Sequence, residues 1–229
     1  SFWSDRIVLD FSDPRDMTDG LPAPRSGPAY VVRTPRLVVR CWAPEDGASL
    51  AAAIDASLPE LRIWMPWALA HPTPVSEQSV YPRRCRGQFD LDQDYAYGIF
   101  ATDGTTVVGG SGLHLRVGPD AREIGYWIAT PHTGRGYATE IVLALTKVAF
   151  LVDGVERIEI KVAVGNDASN AVARKAGFRH EAILAARCEM PGGGKSDAHQ
   201  WVLLRSGFAA TPAAELPIEA FDAAGRQLL

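Results

Sequence analysis

Cysteine is scarce in this chain. Cys41, Cys85 and Cys188 are the three in 229 residues, an odd number at wide spacing, which excludes a disulfide framework and a zinc-ligand cluster. Reduced thiols in a cytoplasmic protein are what such usage predicts. Lysine is scarce too, four against nineteen arginines, and the net charge is −4. That leaves no broad basic footprint, and no nucleic acid partner is expected. Long hydrophobic runs are missing. The longest, from Ile141 to Val152, is interrupted by Lys147 and falls short of the ~20 residues of a membrane span, so no membrane association is expected. Ser1 to Asp5 has no basic start and no long apolar region follows, so a signal peptide is not expected. What is present, 47% hydrophobic and 22% charged residues, is the composition of a globular protein with ample length for a core.

Residues 1–33 are rich in Asp, Pro and Gly around a short apolar group, Ile7-Val8-Leu9. They read as an extension that packs on the domain or stays mobile. Thr34-Pro35 opens a strand, Leu37 to Arg40, and Pro44-Glu45-Asp46 begins a helix through Ile54. Ser76 to Gly87 reads as a helix. Tyr95 to Ala101 alternates like a strand, Asp103-Gly104 turns the chain, and Thr105 to Leu115 is the partner strand. Gly109, Gly110 and Gly112 on that partner predict a bulge or a close backbone approach. Glu123 to Ala129 is the next strand, and Tyr137 to Leu151 an amphipathic helix with Ile141, Leu145 and Val148 on one face. Val155 to Val164 is a strand, and Asp167 to Ala176 a short helix ended by Gly177. Ile183 to Glu189 and His199 to Leu204 form a last hairpin. The tail, residues 209–229, is Ala- and Pro-rich with a helix expected near Ile218 to Leu228. Strands before and after the helices predict one α/β domain with a mixed sheet.

Two stretches carry chemistry. The first runs strand, glycine loop, helix: Glu123-Ile124-Gly125-Tyr126-Trp127, then Thr133-Gly134-Arg135-Gly136-Tyr137-Ala138-Thr139-Glu140. A helix N-terminus presents unpaired N–H groups and a positive dipole end, and glycines let that backbone approach an anion, most often a phosphate. A plain strand-to-helix turn would look the same. It is no dinucleotide fingerprint, because the third glycine would fall at Thr139. The second stretch is Asn166-Asp167-Ala168-Ser169-Asn170, ending in Gly177-Phe178 after the following strand. Asn166 or Asp167 can cap the helix. Alternatively Asn166, Ser169 and Asn170 face a ligand between two strand ends.

Together these stretches resemble the GNAT superfamily of acetyl-CoA-dependent N-acetyltransferases, and within it the RimJ/RimL type, which acetylates the N-termini of ribosomal proteins. Thr34-Pro35-Arg36-Leu37 and the segment Leu61 to Trp67 share that likeness, which covers about residues 34–206. The resemblance implies a GNAT domain over residues 34–208 with a mixed, mostly antiparallel central sheet flanked by helices. Its fourth and fifth strands, here Glu123–Ala129 and Val155–Val164, would be splayed to hold acetyl-CoA. It implies that backbone amides from Thr133 to Ala138, with Thr139 beside them, hold the pyrophosphate. The strand edge at Trp127, Ile128 and Ala129 would pair with the pantetheine arm, Asn166 would bond the arm, and Asn170 and Arg174 would contact the cofactor. A backbone N–H near Ile128 or Ala129 would be the oxyanion donor. Ser169 would protonate the departing thiolate of CoA. The family usually carries Gln or Arg where this chain has Thr133, and Arg135 either supplies the missing charge or points to solvent.

An α-amine titrates near pH 7.7–8.0, so a water-linked carboxylate suffices as base. Glu123 and Glu189 are the candidates. Trp64 and Trp67 lie on the segment that lines the acceptor site in relatives, or in the core. His114, after the glycines, faces the acceptor or belongs to the surface or core. His71, His114, His132, His180 and His199 do not fall at ligand spacing, and no metal is expected. Arg83-Arg84-Cys85-Arg86 reads as a solvated helix face. Gly192-Gly193-Gly194-Lys195-Ser196 ends like a phosphate-binding loop, but Glu189 stands where that pattern needs glycine and a strand follows instead of a helix.

The expected activity is acetyl transfer to a primary amine, with a protein N-terminus as acceptor. A small-molecule amine, such as an antibiotic or an aminoacyl conjugate, and a non-catalytic acyl-CoA-binding domain are the alternatives. A homodimer is compatible with this reading, the N-terminal extension covering a partner or the acceptor cleft.

Overall fold

Short apolar runs punctuated by turn residues become strands along this chain, and the computed structural model, which describes residues 27–229, joins nine of them into one sheet. They are β1 (Val31–Arg33), β2 (Leu37–Cys41), β3 (Tyr95–Ala101), β4 (Val107–His114), β5 (Ala121–Ile128), β6 (Arg157–Ala163), β7 (Arg179–Met190), β8 (Gly194–Leu204) and β9 (Glu219–Phe221). The order across the sheet is β7-β8-β6-β5-β4-β3-β2-β1-β9. Every neighbouring pair is antiparallel except β5 and β6. The expectations for Ser1 to Asp5 and for Ile7-Val8-Leu9 fall outside the described residues.

Helices cover both faces. α1 (Gly47–Asp55), α2 (Leu58–Trp64) and α3 (Val80–Asp90) lie on one face, where Leu50, Ile54, Leu61 and Cys85 pack with Val38, Ala96 and Phe100 of the sheet and with Trp42 just beyond β2. α4 (Tyr137–Leu151) and α5 (Asp167–Lys175) lie on the other. The stripe read from α4, Ile141, Leu145 and Val148, is fully buried against Leu113, Ile124, Ile158 and Ile160. Burying each such side chain is worth about 1.5–3 kcal/mol, so this contact fixes where the start of α4 stands relative to β5.

The tail departs from expectation. Ile218 to Leu228 is not helical: Glu219–Phe221 forms β9 against β1, and the chain turns back so that the Leu228 N–H donates to the Ala220 carbonyl at 2.7 Å. Gly225 at φ +75° and the Asp222 carboxylate, which accepts the Ala224 and Arg226 N–H groups, close a turn where the helix was expected. β1 and β9 bring residues on either side of the 34–208 span into the same sheet.

Candidate active site

The site begins where two parallel strands part. β5 and β6 pair at Ala121–Arg157, Arg122–Ile158 and Glu123–Glu159, and there the ladder ends. β5 continues to Ile128 and β6 to Ala163 with no pairing between them. Residues 121–124 are buried and 125–128 only half-buried, as a strand with one uncovered edge must be. Successive N–H groups along a strand point to opposite edges. The Ala129 N–H donates to the Val108 carbonyl of β4 at 2.8 Å, so it is spent. Of the two expected oxyanion donors, Ala129 is corrected and Ile128, whose N–H faces the open side, remains.

At the far end of β5 stands the N-terminus of α4. Gly134 and Gly136 adopt φ +74° and +77°, conformations that cost a residue with a Cβ about 1–2 kcal/mol. The first helical bond runs from the Glu140 N–H to the Gly136 carbonyl at 3.1 Å. The amides of Tyr137, Ala138 and Thr139 precede it and have no partner within the helix. Thr133 folds its hydroxyl inward, donating to the Thr130 carbonyl at 2.9 Å, and the exposed Arg135 donates to the Pro131 carbonyl at 3.1 Å. A clamp holds the loop. The buried Glu140 carboxylate accepts from the Thr34 hydroxyl at 2.6 Å and from Arg36 Nε at 2.6 Å, while Arg36 Nη1 donates to the Arg135 carbonyl at 2.9 Å. Arg36 and Glu140 lie 104 residues apart, so neighbours in sequence gave no sign of this clamp.

The opposite wall is the start of α5. Asn166 caps it, its side-chain oxygen accepting the Ser169 N–H at 3.1 Å. Ser169 Oγ lies 2.7 Å from the Tyr126 hydroxyl, across the gap between the strands. Burial pushes the Tyr126 hydroxyl up to about 12, and the Ser169 hydrogen bond acts against that rise. Tyr126 was not among the expected site residues; its place in Glu-Ile-Gly-Tyr-Trp was the available signal. Asn170 does not face the gap. It is buried, its amide nitrogen donates to the Asn166 carbonyl at 3.0 Å, and its oxygen accepts from Trp201 Nε1 at 2.8 Å. Its role is to tie α5 to the sheet. Arg174 is exposed and lies over the Trp201 ring.

On the α1–α3 face the floor is glycine. A Cβ on Gly110 would come within 2.6 Å of Trp127 Nε1, and one on Gly112 within 2.6 Å of the His114 ring, so only glycine lets these rings lie against the strands. Trp67 packs 5.9 Å from Trp127, ring to ring, and Trp64 reaches Gly165 at the β6–α5 turn. His114 Nδ1 is 2.8 Å from the Asp94 carboxylate.

The candidate bases separate. Glu123 is buried at the point of divergence, ion-paired to Arg116 and to Lys161 at 2.7 Å. Burial alone would raise its carboxyl, but the hydrogen bonds and charges of those two cations prevail and hold it below the usual carboxylate range. A carboxylate so held is a weak base. Glu189 is exposed near the tip of the β7–β8 hairpin, opposite Lys195.

A nine-stranded sheet split between two parallel strands, with a free helix N-terminus at the split, defines the class. The chain belongs to the GNAT family: the acetyltransferase (GNAT) domain matches residues 36–179, more than half of its length. It is an acetyl-CoA-dependent acyltransferase. Among its relatives is YoaA of Bacillus subtilis (strain 168), an uncharacterized N-acetyltransferase, 26% identical over 155 residues that make up 67% of this chain and 85% of YoaA. Another is YdaF of the same organism, provisionally named a ribosomal N-acetyltransferase, 31% identical over 148 residues, 63% of this chain and 79% of YdaF. Mycobacterium smegmatis RimJ, solved in complex with CoA-disulfide, shares the fold with a TM-score of 0.68 at 24% identity, over 81% of this chain and 91% of RimJ. Among the described residues no helix is long and apolar enough to cross a membrane.

Proposed function

We propose that this chain moves the acetyl group of acetyl-CoA to the α-amine of a protein or peptide N-terminus. The observation that carries the reading is the unpaired edge of β5 from Ile124 to Ile128, running toward the free amides of α4. An extended amide-bearing arm can add to such an edge as a strand does, and a pyrophosphate suits the helix end. The residues therefore fit acetyl-CoA, which supplies an activated thioester when bound. The Thr133 N–H already donates to the Thr130 carbonyl at 3.2 Å, so the amides from Gly134 to Ala138, with Thr139, would hold the pyrophosphate. Trp127 turns its N–H and carbonyl toward β4, as Ala129 turns its N–H, so Ile128 and Asn166 would hold the arm, and Arg174 would stand at its margin.

The chemistry divides between the two faces. The Ile128 N–H would stabilise charge developing on the thioester oxygen. The paired hydroxyls of Ser169 and Tyr126, on the α4–α5 side, would deliver a proton to the departing sulfur, whose free thiol has a pKa of only about 8.5. The amine would enter from the α1–α3 face, over Gly110 and Gly112 and between Trp64, Trp67 and Trp127. Aromatic walls suit an extended peptide end. The name of YdaF and the fold shared with RimJ support a protein acceptor. The three free cysteines fit a reducing cytoplasm.

The test is turnover with acetyl-CoA and a panel of N-terminal peptides and small amines, followed by thiol release and by mass spectrometry of the acceptor. Acetylation on peptide α-amines is expected. Acetylation of small amines alone would overturn the acceptor class. Tight binding of acetyl-CoA without turnover on any amine would overturn the enzyme reading in favour of a non-catalytic acyl-CoA-binding domain.

A further inference from the structure

We infer that His114, oriented by Asp94, is the general base that takes the proton from the acceptor amine. The inference rests on the acetyl-transfer reading and names the group that reading leaves open. His114 is the last residue of β4 and pairs in register with Glu123, where the β5–β6 ladder ends. Its ring does not stand off the sheet. It leans back over Gly112 and Gly125, with Nε2 only 2.6 Å and 3.4 Å from where their Cβ atoms would be. Gly125 is two residues beyond the divergence, on the half-buried stretch of β5 and on the same side of the sheet as Trp127. The ring thus lies beside the parting of the strands, on the face assigned to the acceptor.

The orientation is fixed from behind. Asp94 contacts Nδ1 at 2.8 and 3.1 Å, which sets the proton on Nδ1 and leaves the Nε2 lone pair directed away from Asp94. Burial alone would raise the Asp94 carboxyl, but the His114 hydrogen bond and charge, the Leu115 N–H and Arg116 hold it below the usual range. It is an anion at neutral pH and holds the ring by its Nδ1 edge. The other groups around the pair are spoken for. Arg116 and Lys161 bind Glu123, and on α3 the Tyr81 and Cys85 side chains feel the Asp94 charge with Arg84 beside them.

The step balances without a further reactant. The amine nitrogen forms the new C–N bond and gives one proton to His114 Nε2. The C–S bond breaks, its electron pair stays on sulfur, and sulfur takes a proton from the Ser169–Tyr126 side. His114 then gives its proton to solvent, and solvent returns one to the Ser169–Tyr126 pair, so both are restored for the next turnover.

The experiment measures kcat/KM for a peptide amine against pH in wild type, H114Q and D94N, with acetyl-CoA affinity and melting temperature measured in parallel. H114Q should lose about 100-fold in kcat/KM and its acidic limb, with acetyl-CoA affinity unchanged. D94N should lower kcat and displace the acidic limb, because an amide can donate to Nδ1 and reverse the tautomer; a merely structural role for Asp94 would leave the limb in place. Wild-type rate and an intact acidic limb in H114Q would overturn the inference while leaving acetyl transfer standing. No turnover by the wild type on any amine would overturn the acetyl-transfer reading, and the base with it. If H114Q fails to fold, D94N decides: a displaced limb supports the dyad and an unmoved one overturns it.

Discussion

Tyr126 and Ser169 meet across the gap between β5 and α5, phenol oxygen to hydroxyl oxygen at 2.7 Å, although 43 residues separate them in the chain. The Tyr126 hydroxyl also reaches the Ser169 carbonyl at 3.2 Å. The pair ties the two walls of the site together, and either oxygen can carry the proton that sulfur needs. Y126F should therefore cost about 1 kcal/mol of stability, the net worth of one hydrogen bond, and lower kcat with little change in the KM for acetyl-CoA. S169A should lower kcat by a similar factor. Because the two act as one unit, the double variant should be scarcely slower than the worse single one, which a kinetic double-mutant cycle reads directly.

Glu123 makes stability depend on pH. Its carboxyl is held below the ordinary range in the folded chain, where Arg116 and Lys161 outweigh burial. Such a group stabilises the fold above its unfolded pKa, about 4.3, and the contribution is lost as pH falls through the lower folded value. K161M should cost about 2 kcal/mol at pH 7, and the deficit against wild type should shrink as pH falls below the unfolded value toward the lower folded one. Urea midpoints at pH 7, 5 and 3 check this. A deficit constant with pH would mean that Lys161 contributes packing alone.

Asn170 separates a structural from a ligand role. Its side chain bridges the Asn166 carbonyl and Trp201 Nε1, both on the protein's own side of the site. N170A should cost about 2 kcal/mol by leaving the indole N–H unpaired, and should leave the CoA affinity within about twofold. Calorimetric titration with CoA, beside a thermal melt, measures both. A tenfold loss of affinity in a stably folded variant would restore the cofactor role.

The sequence made the frame of the site legible and left its inner contacts unread, for physical reasons. Glu-Ile-Gly-Tyr-Trp, the glycine loop and Asn-x-x-Ser are local patterns, and each local element formed where its pattern lay. Asn170 belongs to the same local pattern, yet its direction is set by Trp201, a partner 31 residues away on β8. The choice between Ile128 and Ala129 turns on which edge each N–H faces, and one residue of register decides it. His114 and Asp94 meet only because β3 and β4 pair in one register, and the Arg36–Glu140 clamp joins residues 104 apart in the chain. The helix expected over Ile218 to Leu228 gives way because Glu219–Phe221 pairs with β1, and Asp222 and Gly225 close the turn that follows.

Gly109 and Gly110 are neighbours on β4 whose substitution should fail in different ways. A Cβ on Gly109 would run into the Trp127 carbonyl oxygen, a backbone atom that cannot move without breaking the β4–β5 ladder. A Cβ on Gly110 would meet Trp127 Nε1 at 2.6 Å, the far end of a side chain that can rotate away. G109A should therefore cost about 3 kcal/mol and act as a folding defect. G110A should cost about 1 kcal/mol and displace the Trp127 indole on the face proposed for the acceptor, raising the KM of the amine several-fold while the KM for acetyl-CoA holds. Thermal melts and two-substrate kinetics on the pair separate these outcomes. An unchanged amine KM in G110A would mean that the Trp127 ring packs against α2 and takes no part in holding the acceptor.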